Sequence, residues 1–334
     1  MLNGKTILIT GGTGSFGHHF VDYVLAHYQP KKIIIYSRDE FKQFNMQNAY
    51  RQYSQPGGVL RFFIGDVRDK ERLTRAMQGV DYVIHAAALK QVPACEYNPN
   101  EAIKTNINGA MNVIDACLDC GVQKVVALST DKSVNPINLY GGTKLVSDKL
   151  FCAANSYSGG KGPIFSVVRY GNVAGSRGSV IPFFQDIIDQ GGRELPITDF
   201  RMTRFWISLE QGVELVIKAL EVSQGGETFI SKIPSFKITD LAKAMSPDCN
   251  LKEVGIREGE KLHEIMITSE DSARTYEYDD SYIIYPHYDW WLDRMIVPGG
   301  KPVEAGFEYT SGNNKVFLTV EELQQKLKTD LDKH

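Results

Sequence analysis

Thr6-Ile7-Leu8-Ile9-Thr10-Gly11-Gly12-Thr13-Gly14-Ser15-Phe16-Gly17 is the stretch that decides the fold. Its first five residues read as a buried strand, and glycines at 11, 14 and 17 follow at once. Backbone that must approach a pyrophosphate closely cannot carry a Cβ. A helix opening near Gly17 aims its N-terminal amides at the same point. A glycine-rich turn alone is a weak signal, but between an apolar strand and a helix it predicts a dinucleotide site. Gly11, Thr13, Gly14, Ser15, Phe16 and Gly17 are its expected lining.

Outward from this turn, short apolar runs alternate with helical stretches. Strands are expected at Thr6–Thr10, Lys32–Tyr36, Leu60–Ile64, Asp81–His85, Lys124–Leu128 and Phe165–Arg169. Helices are expected at Gly17–Tyr28, Asp69–Met77 and Asn98–Cys120, and from Tyr140 towards Ser156. Strands apolar throughout belong to a sheet covered on both faces. The fold class is therefore α/β: a Rossmann-type, doubly wound parallel sheet with a smaller, discontinuous α/β C-terminal domain. The rhythm breaks after Asn172. Gly175–Gly178 reads as a loop, Ile181–Gln190 as a helix, and Trp206–Leu209 with Gln211–Val222 as one more strand and helix. A helix Thr239–Met245 and a short strand near Glu253 follow. The part from Tyr276 reads as aromatic and loop-rich, closing in a helix over Val320–Thr329. The expected division assigns 1–175 and 202–232 to nucleotide binding, and 176–201 and 233–334 to substrate binding.

The second strand runs into Tyr36-Ser37-Arg38-Asp39. A carboxylate there suits the ribose hydroxyl of NAD, whereas arginine accommodates a 2′-phosphate. Ser37 and Arg38, with Lys42 one turn on, favour NADP; Asp39 keeps NAD open. Asp66 and Val67 follow the third strand, where an adenine edge is met. Ala86 and its neighbours after the fourth offer small side chains beneath a flat cofactor. His85 reads as a packed strand-end residue.

Ser129-Thr130-Asp131-Lys132 precedes Tyr140-Gly141-Gly142-Thr143-Lys144. Tyr140 and Lys144 share a helix face. An ammonium held close lowers a phenol from its usual value near 10, so that it can accept a proton from a sugar hydroxyl. Asp131 and Lys132 form a second acid/base pair that a single oxidation does not need. A structural ion pair for Lys132 and a turn cap for Asp131 are the bland alternatives.

Composition sets outer limits. The 334 residues are 43% hydrophobic and 23% charged, with net charge −3, which argues against a nucleic-acid partner. No apolar run approaches a membrane span, and the N-terminus enters a strand pattern without a signal-peptide profile. Five scattered cysteines suit a reducing compartment, so the cytoplasm is expected. Cys117 and Cys120 lie in a helical pattern with no second pair, and no metal site is expected.

Together these segments resemble the extended short-chain dehydrogenase/reductase superfamily over nearly the whole chain. Ser129 to Pro136, Ala88 to Pro93, Met202-Thr203-Arg204-Phe205 and Gly259-Glu260-Lys261-Leu262-His263-Glu264 sharpen the likeness to the inverting UDP-N-acetylglucosamine 4,6-dehydratases of pseudaminic-acid biosynthesis. Retaining dehydratases carry Asp-Glu where this chain has Asp131-Lys132.

The resemblance implies that Tyr140, supported by Lys144 and Thr130, takes the 4-hydroxyl proton. It implies Lys132 as base at carbon 5, provided its pKa is depressed, and Asp131 as acid towards the 6-hydroxyl. Tyr140 and Lys132 both remain candidates for the inverting proton. It places Lys90, Asn172, Val180, Thr198, Arg204, Arg257 and Glu260 against the UDP-sugar. Lys90, Ser129, Thr130, Tyr140, Lys144 and Val173 are placed against the cofactor, with residues up to Arg177 bordering it. A homo-oligomer is implied by analogy. Competing readings are a UDP-sugar 4-epimerase, which needs no elimination pair, a retaining 4,6-dehydratase, and a binding protein that has lost catalysis. The last has no reason to keep Thr130, Tyr140 and Lys144 together.

Overall fold

The computed structural model describes residues 1–159, 162–173, 180–288, 291 and 296–331. Six strands come first: β1 (Thr6–Thr10), β2 (Lys32–Ser37), β3 (Leu60–Ile64), β4 (Tyr82–His85), β5 (Lys124–Thr130) and β6 (Ile164–Tyr170). They are followed by β7 (Glu194–Ile197), β8 (Thr203–Phe205), β9 (Thr228–Ser231), β10 (Ser235–Lys237), β11 (Asn250–Glu253) and β12 (Ile265–Ile267). The last are β13 (Thr275–Glu277), β14 (Ser281–Ile284), β15 (Lys301–Pro302) and β16 (Tyr309–Thr310).

The main sheet has ten strands in the order β15-β13-β14-β9-β6-β5-β4-β1-β2-β3. From β3 to β9 every pairing is parallel. β14, β13 and β15 then add antiparallel. Strand side chains alternate between faces, so Ile7, Ile9, Ile33 and Ile35 pack into one core while Leu8 and Ile34 enter the other. Helices cover both faces, which is why the strands are apolar throughout. Each fully buried isoleucine or leucine contributes about 2 kcal/mol relative to exposure.

The expected parallel strands and the helices at Ser15–His27, Lys70–Ala76, Leu139–Ala154 and Val180–Asp189 are present, with ends shifted by a residue or two. The helix expected over 98–120 is present as one unbroken run, Pro99–Ile103, Lys104–Asn108 and Gly109–Cys120, whose middle segment is a π turn. That turn carries Asn106, whose amide clamps Leu89 and Thr143. Two expectations are corrected. The part from Tyr276 is not all loop, since β13, β14 and β15 extend the sheet. Their two to four residues are too short to show a period. The strand expected at Trp206–Leu209 lies earlier, at Thr203–Phe205. The loop expected at Gly175–Gly178 falls outside the described residues.

A separate hydrophobic cluster around Phe184, Leu195, Ile197, Trp206, Phe236 and Leu241 holds the helix Val180–Asp189 and the C-terminal helix Val320–Leu331 over the carboxyl ends of the parallel strands. The parallel pair β7–β11 and the antiparallel pairs β8–β10 and β12–β16 complete this side. The site lies in the crevice between the two masses, where the strand order reverses on either side of β1.

Gly17 fixes the entry to the first helix, because a Cβ there would stand 2.0 Å from the Gly12 carbonyl oxygen. Gly17→Ala is expected to destabilise the chain by about 2 kcal/mol through overpacking, read as a lower thermal midpoint.

Candidate active site

A cavity of about 1120 Å³ runs along the carboxyl ends of the strands. At one end lies the glycine turn. Gly11 has φ +67°, and a Cβ on it would stand 2.8 Å from the Ala87 Cα. Its N–H donates to the Tyr36 carbonyl at 2.8 Å, and Gly14 donates to the Gly11 carbonyl at 3.0 Å. Thr13, Ser15, Phe16, Val67 and Ala86 line the same end. Gly17 stands behind the wall and shapes it by packing. A Cβ at Gly11 would collide with the Ala86–Ala87 backbone after β4, so the glycine holds that small-residue wall close, and a nicotinamide dinucleotide fits the cradle they line.

The ribose end is defined by Ser37, Arg38 and Lys42. Gln43 donates to the Ser37 and Phe63 carbonyls at 2.9 and 3.0 Å, and Thr13 donates to the Ser37 hydroxyl at 3.1 Å. Asp39 caps the helix Glu40–Ala49, accepting from the Lys42 N–H at 2.9 Å, and pairs with the Lys42 ammonium at 3.1 Å. Those bonds hold its carboxyl below the ordinary aspartate range. Arg38 is half-exposed, its guanidinium 3.8 Å from Asp66.

The reactive end is built by β5 and the helix Leu139–Ala154. Thr130 ends the strand and caps the short turn Asp131–Ser133, accepting from the Lys132 N–H at 3.3 Å. Asp148, one turn beyond Lys144, accepts from Ser129 at 2.6 Å and Ser133 at 3.0 Å, so helix and turn are tied together. A Cβ on Gly141 would stand 2.1 Å from the Lys132 carbonyl oxygen, which explains a glycine straight after Tyr140. Asn138 caps the helix at the Gly141 N–H (2.8 Å) and donates to the Gly259 carbonyl (2.9 Å). That second bond draws the segment carrying Arg257 and Glu260 onto the pocket.

Lys132 is the centre of the charge arrangement. Its Nζ lies 3.1 Å from Asp131, 3.5 Å from Glu264 and 2.8 Å from the Asn172 amide oxygen. Burial pushes the ammonium down, but Asp131 and then Glu264 outweigh it and hold Lys132 above the ordinary lysine value. The depression expected from Lys144 is absent, and in this pocket Lys132 is an ammonium. Burial and then the Glu264 charge lift Asp131 above the ordinary carboxylate range. Burial likewise pushes Tyr140 up to about 12, with Lys132 and a Thr130 hydrogen bond pulling it back. Lys144 is lowered, chiefly by burial.

Asp131 is completely buried behind Lys132 and does not reach the cavity wall, whereas Lys132, Tyr140, Lys144, Ser129 and Thr130 do. Lys90, Asn172, Val173, Val180, Thr198, Arg204, Arg257 and Glu260 also line the cavity, along with Asp66. The expected stretch beyond Val173, up to Arg177, lies outside the described residues. Arg204 donates to the carbonyls of Thr203 (2.7 Å) and Leu262 (3.2 Å) and stands 3.5 Å from Glu264. His85 is buried, shares a 2.8 Å hydrogen bond with Thr10, and is pushed down to about 3 by burial and then by Lys144; it packs as expected. Cys117 and Cys120 are free thiols.

Sequence reasoning missed two residues here. Asn106 holds the Lys90 loop through Leu89 (2.8 and 2.9 Å) and bonds Thr143 at 3.0 Å. Glu264 stands in the site with its backbone anchored by Ser311. The Glu264 N–H donates to the Ser311 hydroxyl at 2.9 Å, and the Ser311 N–H donates back to the Glu264 carbonyl at 2.8 Å. Glu264 closes the Gly259–Glu264 motif, which marked the segment without assigning that carboxylate a role.

A tyrosine and lysine one helical turn apart, facing a dinucleotide cradle on a parallel sheet, define the short-chain dehydrogenase/reductase class. Residues 7–286 match the family model described as polysaccharide biosynthesis protein, and the chain belongs to this family. It is 58% identical over 330 residues to the UDP-N-acetylglucosamine 4,6-dehydratase (inverting) of Campylobacter jejuni, covering 97% of each chain. It is 44% identical to the UDP-glucose 4-epimerase of Rickettsia canadensis, over 97% of this chain and 96% of that one. The X-ray structure of Pen from Bacillus thuringiensis superposes with a TM-score of 0.90 at 37% identity, covering 99% of both chains. Among the described residues no helix is long and apolar enough to cross a membrane.

Thr130→Val removes a hydrogen bond that favours the Tyr140 phenolate. Because that bond lowers the phenol, its loss raises it, and the acid limb of the pH–rate profile is expected to move up by about one unit, a differential interaction of roughly 1.4 kcal/mol.

Proposed function

We propose that this chain is an inverting UDP-N-acetylglucosamine 4,6-dehydratase, forming UDP-2-acetamido-2,6-dideoxy-L-arabino-hexos-4-ulose and water. The observation that carries the reading is Lys132 on the cavity wall, beside Tyr140 and backed by Asp131. A dehydrogenation alone does not require that second acid/base centre.

Tyr140 takes the proton of the sugar 4-hydroxyl, with the Thr130 hydroxyl and the nearby Lys132 and Lys144 cations stabilising the phenolate. The turn at Gly11–Gly14 with Ser37 and Arg38 would hold a nicotinamide dinucleotide, which would supply the hydride acceptor for carbon 4 and the hydride donor for carbon 6. The 4-ketone acidifies the hydrogen on carbon 5. For Lys132 to remove it, the ammonium must first pass its proton to Asp131, 3.1 Å away. Burial of Asp131 favours that neutral pair, and substrate filling the cleft favours it further. The acid role of Asp131 therefore runs through the lysine amine. The 6-hydroxyl leaves as water with the proton taken from carbon 5. Protonation of carbon 5 from the opposite face, by Tyr140 or Lys132, inverts the centre and restores the ketone.

The cofactor reading is NADP. In its support, the Asp39 carboxylate is engaged as a helix cap and by Lys42, leaving Ser37 and Arg38 to meet a 2′-substituent. Lys90, Asn172, Val180, Thr198, Arg204, Arg257 and Glu260 are read as the UDP-sugar site, and the cytoplasm, which supplies both nucleotides, as the compartment. The 4-epimerase reading is favoured by the Rickettsia relative; it predicts a product that keeps its 6-hydroxyl.

The deciding experiment incubates the protein with UDP-N-acetylglucosamine in deuterated water and follows the sugar by NMR. A new methyl group, deuterium at carbon 5 and the L-configured 4-keto sugar are expected; an unchanged 6-hydroxyl refutes the reading. Lys132→Ala is expected to slow elimination by roughly a thousandfold, within the usual range for a lost general base, while the cofactor stays bound. Arg38→Ala should weaken NADP about tenfold, the loss of roughly 1.4 kcal/mol, and leave NAD binding unchanged in a fluorescence titration.

A further inference from the structure

Glu264 is the one carboxylate on the wall of the reactive end of the cavity, among the described residues, that the preceding mechanism does not use. It is 3% exposed. Its Oε1 lies 3.5 Å from Lys132 Nζ and 3.5 Å from Arg204 Nε, and its Oε2 has no hydrogen-bond partner within the protein. Burying a carboxylate is costly unless cations compensate it. Three surround this one: Lys132 from the turn after β5, Arg204 from β8, and Lys261 from its own segment. Lys261 is itself tied to the Val134 carbonyl, on the far side of the Lys132 turn. Burial raises the Glu264 carboxyl, but Lys132, then Arg204 and Lys261, outweigh it, so Glu264 is ionised.

We propose that Glu264 is a positioning residue for the dehydration step: shared between Lys132 and Arg204, its Oε1 gives the Lys132 amine a second anchor beside Asp131. This inference rests on the dehydratase reading. Lys132 has two carboxylate contacts, one on its own turn and one delivered from β12 and its preceding segment. A flexible four-carbon stem held by Asp131 alone keeps its rotamers; a second anchor removes them. The arrangement also has an electrostatic consequence. The charged and titratable groups facing Lys132 are Asp131, Glu264, Arg204, Lys261 and Tyr140. Glu264 raises both Lys132 and Asp131, so neutralising it lowers the proton affinity of both.

The test uses Glu264→Gln and Glu264→Asp in the full chain with cofactor bound, following deuterium incorporation at carbon 5 and methyl formation across pH. Glu264→Gln is expected to cut elimination on the order of tenfold or more at its plateau and to move the acid limb of the profile down by about one unit. Glu264→Asp keeps the charge, so it should lose rate while keeping the wild-type limb. Cofactor retention and thermal midpoint are measured alongside. A uniform fall in rate with an unmoved limb for Glu264→Gln overturns the proposal, as does wild-type activity. If Glu264→Gln does not fold, Glu264→Asp decides, and an unchanged rate overturns the inference. Absence of dehydration in the wild-type protein refutes the functional reading itself and is thereby distinguished from failure of the Glu264 inference.

Discussion

The contact on which the site depends is the buried ion pair between Lys132 and Asp131. A lone ammonium in a closed cleft would shed its proton, and a lone carboxylate would take one up. Side by side they retain both charges, and a single proton shift across the 3.1 Å contact converts the pair to amine and acid. Breaking such a pair by removing one partner is far more damaging than its net contribution to stability, because the survivor is left uncompensated. The neighbouring structure serves to keep this pair dry and aimed: Gly171 leaves room above Asp131, Asn172 receives the amine, and Asp148 holds the turn from below.

The glycines illustrate how the fold and the chemistry share constraints. Gly11, Gly17 and Gly141 each let two pieces of backbone touch. The consequence at Gly141 is that the Tyr140 helix and the Lys132 turn behave as one body. In the proposed reaction Tyr140 and Lys132 serve adjacent sugar carbons, so their relative position matters more than the position of either one in the cavity.

Much of this was legible in the sequence, and for physical reasons. Parallel strands covered on both faces must be apolar throughout, and the glycine turn must follow the first of them. A helical spacing of four put Tyr140 and Lys144 on one helix and on the same cavity wall, but burial raises the phenol, and the groups that pull it back are Lys132 and Thr130. The failures are equally physical. β13 to β15 are too short to display a period, and the π turn at Lys104–Asn108 is stabilised by what Asn106 reaches in three dimensions. The state of Lys132 was misjudged because the sequence shows Asp131 beside it but not Glu264, which arrives from a distant segment. Asp131 reads as a wall residue in one dimension; only the packing of Gly171 and Phe205 over it shows that it is covered.

The tail gives the last lesson. Tyr309 hydrogen-bonds the backbone of Ile233, Asn314 bonds Ile233 and Ser235, and Ser311 bonds both Thr203 and Glu264. Residues 309–314 therefore brace the reactive end of a cavity whose other end is formed by the turn after β1. A substitution in this tail can thus loosen one end of the cavity while the glycine turn keeps its own backbone contacts.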